Sequence, residues 1–203
     1  MTVQSEFWAW FRNHEAELFD FDARREAERD ELFDRLAVEL RKVDPGLTFE
    51  FSPPGSVREF VISAAGIKSV FPAVVRLADA APILERWRIT AFRPRRMPIN
   101  SIEINGKCIH AKHVRCSLLD NGKIAGLRLL IPGFREDDVD LKQIGYLLLD
   151  EALGEFDVEM RLGLIEMSSP EASTGLKSFP LAELPALFDR LVARLEGRSG
   201  LPS

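Results

Sequence analysis

The sequence predicts an α+β protein: a single domain in which helices cover a mixed or antiparallel sheet of about seven strands. Its length of 203 residues suits one domain. Apolar residues recur with the period of a helix up to residue 45, and they alternate with polar residues from residue 47 onward. Two Asn-Gly pairs, Asn105-Gly106 and Asn121-Gly122, are flanked by short apolar runs, a pattern typical of β-hairpins.

Residues 1–45 are predicted to form a two-helix N-terminal extension. A break near Phe19 separates the helices, Asp22 is positioned to cap the second, and Asp44-Pro45-Gly46 ends it. The apolar residues fall on stripes at the helical period, and the aromatic cluster favours a core over a partner-binding groove. The residues predicted to face the core are Phe7, Trp8, Trp10, Phe11, Leu18, Phe21, Leu32, Phe33, Leu36, Val38 and Leu40.

Residues 47–92 are predicted to form a first strand–strand–helix–strand (ββαβ) unit. Two short strands joined by a proline-rich turn precede a helix over 69–81. Pro72 lies in the first turn of that helix, where a missing N–H costs little. In the last strand Trp87 alternates with the charged Arg88, so we expect Trp87 to be buried on the inner face of its strand.

Residues 114–167 are predicted to form a second ββαβ unit. Its strands lie near 114–119 and 124–131, and a helix over 138–153 follows, which Gly154 ends. From Phe156 to about Met167, charged and apolar side chains alternate, which indicates a last strand.

The two predicted units match in the order of their elements. Aligning Asp79 with Asp150 places Trp87 on Val158 and superimposes several apolar positions. The match suggests an internal duplication, with a coincidence of common elements as the alternative. An amphipathic helix over 180–196 is predicted to close the domain.

Composition predicts a cytoplasmic protein. Two cysteines are too few for a disulfide framework, and no run approaches the roughly 20 apolar residues of a membrane span. The first residues lack the basic and apolar regions of a secretory signal. The net charge is −5, yet the stretch 86–115 is basic and acidic stretches lie on either side of it. The basic stretch therefore either pairs with the acidic ones or binds an anion.

Three arginines form the predicted binding site: Arg93, Arg95 and Arg96. Pro94 holds this segment extended, and a planar guanidinium suits phosphates and carboxylates. The predicted ligand is an anionic small molecule or an acidic protein partner, and the alternative is a solvated or internally paired cluster. The negative net charge and the few neighbouring aromatic residues argue against nucleic acid.

Three carboxylates, Glu155, Asp157 and Glu159, alternate along the last predicted strand. Such a triplet suits acid–base chemistry or a divalent cation. The preferred interpretation is that it pairs with Arg86 and Arg88 on a neighbouring strand, because opposite charges across strands are mildly stabilising. That pairing would leave the three arginines of the predicted binding site unpaired.

The stretch from Cys108 to Cys116 also contains His110 and His113, all of which are metal-ligand residue types. Zinc sites separate two ligand pairs by a loop that wraps the ion, and this stretch has no such loop. Neighbouring basic side chains also repel a cation. We therefore predict no metal and no cofactor.

An aromatic motif at residues 7–11, FWAWF, is followed by Glu15, Leu18 and Phe19. This opening resembles that of a family of uncharacterised bacterial proteins. The resemblance implies a bacterial source and supplies no activity and no site residues. Further stretches that resemble the same family are 47–51, 58–64, 88–94 and 149–158.

The sequence contains no Gly-rich phosphate loop, no Rossmann fingerprint, no Gly-x-Ser-x-Gly elbow and no His-Glu-x-x-His motif. The predicted function is therefore a non-catalytic cytoplasmic binding or protein-interaction module that does not bind membranes, with self-association as a further option. The alternative is a carboxylate-dependent enzyme, with or without a metal ion.

Overall fold

The computed structural model describes residues 2–21 and 25–199, apart from the side chains of residues 198 and 199. The described residues form seven α-helices and nine β-strands, which confirms the α+β class. The length predicted one domain, whereas the contacts divide the chain into two compact units, Met1–Arg93 and Pro94–Ser203. The strands form three separate sheets, so the prediction of one sheet of about seven strands is wrong.

The first unit contains four helices and a three-stranded sheet of order β1-β2-β3. β1 is antiparallel to β2, and β3 is parallel to β2. A 3-10 turn precedes the fourth helix, and a proline lies in the first turn of that helix, as predicted. The elements are α1 (Val3–Asn13), α2 (Glu15–Asp20), α3 (Glu26–Val43), β1 (Thr48–Phe51), β2 (Arg58–Ser63), α4 (Phe71–Asp79) and β3 (Trp87–Ala91).

The N-terminal helices belong to the core of the first unit rather than forming an extension to it. Phe7, Trp8 and Phe11 are buried, and their rings lie 5.1 to 6.3 Å from the ring of Phe60 on β2. The Trp8 indole N–H also donates to the carbonyl oxygen of Leu77 at 2.8 Å. This carbonyl lies in the last turn of α4, where helical carbonyls lack partners within the helix.

The predicted inner face of these helices is confirmed at most positions. Val38 is an exception at 46% exposure, and Trp10 is half-buried against His14. The first helix breaks at His14 into α1 and α2. The predicted cap Asp22 lies outside the described residues. α3 ends at Val43, directly before the predicted Asp44-Pro45-Gly46 stop.

A buried arginine ties the end of α2 to the sheet. Arg58 is 2% exposed, and its guanidinium donates to the carbonyl oxygens of Ser52 and Phe19 at 3.1 and 2.5 Å. It also lies 3.8 Å from the centre of the Phe21 ring. Burial lowers the pKa of Arg58, which the nearby Asp20 carboxylate partly offsets.

The second unit contains a two-stranded hairpin and a four-stranded sheet of order β8-β7-β6-β9. Short 3-10 turns precede β6, follow β8 and precede the last helix. The elements are β4 (Ser101–Ile104), β5 (Lys107–His110), β6 (Arg115–Asp120), β7 (Ala125–Leu130), α5 (Val139–Leu153), α6 (Glu155–Arg161), β8 (Leu162–Ser168), β9 (Phe179–Pro180) and α7 (Leu184–Ser199).

Both Asn-Gly pairs lie in hairpin loops, although the two loops differ. Asn105 and Gly106 have φ of 50° and 78° and join β4 to β5 as a two-residue turn, as predicted. The second loop has four residues, because Asp120 pairs with Ala125. There the carboxylate of Asp120 accepts a hydrogen bond from the backbone N–H of Gly122 at 2.9 Å.

The prediction of a strand beginning at Phe156 is wrong, because residues 155–161 form the helix α6. Alternation of charged and apolar residues over this stretch fits a strand on a local view. Two acidic side chains, Glu155 and Asp157, occupy the first turn of α6, where the helix dipole favours negative charge. The predicted triplet of carboxylates is therefore on a helix, and the alignment of Trp87 with Val158 does not hold.

The sheets of the two units share one type of connection. In each, an antiparallel pair is followed by helical structure and by a third strand parallel to the second, through β1-β2-α4-β3 and through β6-β7-α5-α6-β8. A common origin of the two units stays a prediction.

The core of the second unit lies between its four-stranded sheet and the helices α5 and α7. Leu127 and Leu129 of β7 are fully buried together with Ile144 of α5 and Phe188 of α7. In α5, the residues that the helical period places on one face are buried: Leu141, Ile144, Gly145, Leu148 and Leu149. Over residues 2–21 and 25–199, no helix combines the length and apolar character that a bilayer span requires.

Candidate functional site

All three arginines predicted as an anion-binding site interact with the protein's own groups. Arg93 belongs to the first unit, where its Nε donates to the carboxylate of Glu50, and its side chain is only 19% exposed. Arg95 and Arg96 belong to the second unit. The backbone N–H of Arg96 donates to the carbonyl oxygen of Glu151 at 2.8 Å.

Arg95 joins three helices of the second unit. Its guanidinium donates to Asp157 of α6 at 2.7 Å and to both carboxylate oxygens of Asp189 of α7 at 2.8 and 2.9 Å. Its Nε donates to the carbonyl oxygen of Leu153 at the end of α5. The hydrogen bond with Asp189 raises the pKa of Arg95 and lowers that of Asp189. The expectation that Arg93 and Arg95 are unpaired is wrong.

The predicted pairing of Arg86 and Arg88 with the acidic triplet is also wrong. β3, which contains Arg88, pairs with β2, whereas the triplet lies on the helix α6 of the second unit. Arg86 lies 3.5 Å from the carboxylate of Glu15 and stacks on the ring of Phe19. The carboxylate of Asp157 instead contacts Arg161, as well as Arg95.

The Cys108–Cys116 stretch is not a continuous strand. The 3-10 turn at Ala111–His113 interrupts it, so Cys108 is exposed and Cys116 is buried. Burial raises the pKa of the Cys116 thiol to about 12. Within the described part of the chain, no three His, Cys, Asp or Glu side chains are placed to hold a metal ion.

A different feature of the second unit is an open sheet edge. β9 pairs with β6 only at Arg115 and Cys116. Beyond these residues, in the part of the chain that the structure describes, no strand covers this side of β6. Unpaired strand edges are templates for pairing with another chain.

The backbone register shows which groups face this open edge. The backbone N–H of Leu181 donates to the carbonyl oxygen of Val114 at 3.0 Å, on the β9 side. Backbone groups of alternate residues face the same side of an antiparallel strand, so those of Leu118 also face the open edge. Its N–H and C=O thus continue the ladder that β9 begins.

A cleft of about 500 Å³ lies along this edge, between β6 and α7. Its apolar surface includes the buried Leu191 and the half-buried Leu118 and Phe179. Its polar surface carries three cations and one acid. We call this cleft the β6 groove. Its lining residues are Ser117, Leu118, Asp120, Lys177, Phe179, Leu187, Arg190, Leu191 and Arg194.

The cations of the β6 groove differ in their partners. Arg194 donates to the carboxylate of Asp120 at 3.0 Å. The Nε of Arg190 donates to the backbone oxygen of Ala186 in its own helix. Among the described residues, Lys177 and Arg190 have no acidic partner. The groove therefore has a net positive lining although the protein as a whole is negative.

Another cleft, of about 640 Å³, borders β8 and α5, but its charges balance. It is lined by an ion pair of Arg128 with Glu166, and by one further base and one further acid, Lys142 and Glu136. The β6 groove thus differs from this cleft by its excess of positive charge, whereas β8, an outer strand of the same sheet, also has an unpaired edge among the described residues.

The residues of the β6 groove were not predicted as a site from the sequence. They come from three separate segments, and β9 has only two residues, too few to show any periodicity. Comparisons with protein-family models, with curated proteins and with solved structures found no match.

Proposed function

We propose that this protein is a non-catalytic protein-interaction module. Its β6 groove binds an extended, acidic segment of a partner protein, which adds to the sheet as a strand beside β6. The observation that supports this function most is the open edge of β6 at Leu118, next to a groove whose lining is positively charged.

The β6 groove can accept an added strand, because both the direction of that strand and the contacts of its side chains fit. The bound segment runs antiparallel to β6, in line with β9, and exchanges backbone hydrogen bonds with Leu118. The side chain opposite Leu118 points to the face of α7, where Leu187 and Leu191 offer apolar contact. Backbone bonds supply affinity, and the side chains of the groove select the sequence.

Charge selects an acidic segment. Lys177 and Arg190 have no carboxylate partner among the described residues. An Asp or Glu of the ligand can therefore bind either cation without displacing another carboxylate. Rim charges of this kind speed association and discriminate between partners more than they add affinity. The negative net charge of −5 opposes nonspecific binding of acidic chains, so recognition depends on the groove itself.

We also propose a cytoplasmic location and a bacterial source. The first is supported by two cysteines that are not joined to each other, one exposed and one buried. The second is supported by the resemblance of the FWAWF opening. The alternative of a carboxylate-dependent enzyme draws no support from Asp157, whose carboxylate contacts Arg95 and Arg161.

A labelled octapeptide of alternating Glu and Val tests this function by fluorescence anisotropy at physiological salt, where exposed charges farther apart than about 8 Å are largely screened. We expect saturable binding, and no binding of the matching Lys and Val peptide. Lys177→Glu should weaken binding about tenfold, because a charge reversal replaces an attraction of up to about 1 kcal/mol by a similar repulsion. Arg190→Glu should act in the same direction.

Lys112→Glu is the matched control, because Lys112 is also exposed and does not line the β6 groove. We expect it to change the affinity less than twofold, as a remote surface charge is largely screened. Equal losses of affinity from Lys177→Glu and Lys112→Glu would mean that the peptide responds only to the overall charge of the protein, and would contradict the proposed site. Absence of binding to the Glu and Val peptide would contradict the function.

A further inference from the structure

We infer that Asp120 competes with the acidic ligand for Arg194: the Asp120 carboxylate pairs with Arg194 in the β6 groove, and the ligand's carboxylate replaces it there. This inference rests on the proposed function. It goes further because Arg194 is the cation that binds the ligand's carboxylate, and Asp120 determines how acidic the ligand must be.

The two oxygens of the Asp120 carboxylate have separate roles. One accepts the hydrogen bond from the backbone N–H of Gly122 at 2.9 Å and holds the β6–β7 loop. The other accepts from the Arg194 guanidinium at 3.0 Å. The Arg194 side chain is 56% exposed and that of Asp120 is 29% exposed. The pair therefore lies at the surface, within reach of an incoming group.

The register places a ligand side chain beside this pair. Leu118 and Asp120 are two residues apart, so their side chains share the face on which α7 carries Arg194. A ligand residue opposite Leu118 points to that same face and lies diagonal to Asp120. Diagonal neighbours in a sheet are within reach of long side chains. A Glu at this ligand position can therefore replace Asp120 on Arg194.

The exchange has a cost that depends on the ligand's charge. A neutral ligand leaves the pair of Asp120 with Arg194 intact. An acidic ligand must break that pair and then lies near the displaced Asp120 carboxylate, which repels it. Asp120 thus lowers the affinity for weakly acidic segments, and several acidic residues are needed to overcome it.

Asp120→Asn tests the competition, because its amide oxygen can still accept from Gly122 while the negative charge is lost. We expect this variant to bind the Glu and Val peptide about twofold to fivefold more tightly, the range that an exposed ion pair of up to about 1 kcal/mol allows. We expect no change for a Gln and Val peptide. A merely structural role for Asp120 would change stability and leave affinity as it is.

Arg194→Gln, alone and together with Asp120→Asn, completes a double-mutant cycle. Alone it should weaken binding of the Glu and Val peptide, and in its background Asp120→Asn should lose most of its gain. If Asp120→Asn raises the affinity by the same factor without Arg194, or raises it equally for the Gln and Val peptide, the gain comes from the loss of a negative charge in general. Either result would overturn the inference.

The outcomes separate the inference from the function on which it rests. If the unmodified protein binds the Glu and Val peptide and Asp120→Asn binds it no more tightly, the inference fails and the proposed function stands. If neither protein binds it, both fail. Thermal unfolding of each variant verifies that the fold is intact, so that a lost affinity is not a lost structure.

Discussion

Two buried tryptophans of the first unit differ in one hydrogen bond. Trp87 is 7% exposed, as its alternation in β3 predicted, and its ring lies 5.1 to 5.6 Å from the rings of Phe11, Phe19 and Phe51. Among the described residues, its indole N–H has no partner. The indole N–H of Trp8 instead donates to the carbonyl oxygen of Leu77. An unpaired buried donor lowers stability, whereas a paired one is neutral or favourable.

Replacement of each tryptophan by phenylalanine measures this difference. Both changes remove a similar volume, but Trp8→Phe also leaves the Leu77 carbonyl without its donor, while Trp87→Phe removes an unpaired donor. We expect Trp8→Phe to lower the free energy of unfolding by about 1–2 kcal/mol more than Trp87→Phe. Chemical denaturation gives both values. An equal or larger loss for Trp87→Phe would mean that its indole N–H has a partner in solution.

The burial of a single residue was easier to predict than the partner of a charged residue. The burial of Trp87 follows from alternation along one strand, which is a local property. The partners of Arg93 and Arg95 are not local: Glu50 is 43 residues from Arg93, and Asp189 is 94 residues from Arg95. A basic cluster in the sequence therefore indicates where cations lie, and only the tertiary structure determines which of them a ligand can use.

The junction between α5 and α6 depends on one glycine. Gly154 has φ of 82° and ψ of 144°, a conformation that residues with a side chain rarely adopt. It ends α5 and lets the chain begin α6 without a connecting loop. The same junction positions the carbonyl oxygen of Leu153 and the carboxylate of Asp157, both of which accept hydrogen bonds from Arg95.

Gly154→Ala should destabilise the second unit by about 1–3 kcal/mol, because alanine is strained at this φ and ψ. Gly197→Ala is the control with the opposite sign. Gly197 lies within α7, and a Cβ added there meets no atom within 4 Å. Since glycine is a poor helix former, we expect a gain of about 0.5–1 kcal/mol. Thermal unfolding measures both, and a neutral Gly154→Ala would contradict the strained junction.

Elements were predicted well where one local pattern was compatible with only one structure. The Asn105-Gly106 hairpin is such a case, because its turn needs positive φ at both residues. The stretch 155–160 is the opposite case. Its alternation fits a strand. The helix α6 forms there because the conformation of Gly154 ends α5 and allows a new helix to begin, and acidic residues occupy the first turn of that helix.

The division into two units and three sheets could not be derived from the order of the elements. The first predicted ββαβ unit has its elements in the predicted order, and the second has the additional helix α6 before its last strand, but sheet order depends on which strand edges meet in space. The β6 groove depends on the same information. Leu118, Lys177 and Arg190 lie far apart in the sequence, and they line one groove because β9 begins only at Phe179 and α7 packs beside β6.

Amide hydrogen exchange at Leu118 tests strand addition to β6 directly. The N–H of Leu118 faces the open edge, whereas Ser117 and Leu119 face β7 and serve as internal references. On saturation with the Glu and Val peptide, we expect exchange at Leu118 to slow by about tenfold or more, because a new backbone hydrogen bond must open first. Exchange at Ser117 and Leu119 should change little. Binding of the peptide with no slowing at Leu118 would contradict the addition of a strand to β6.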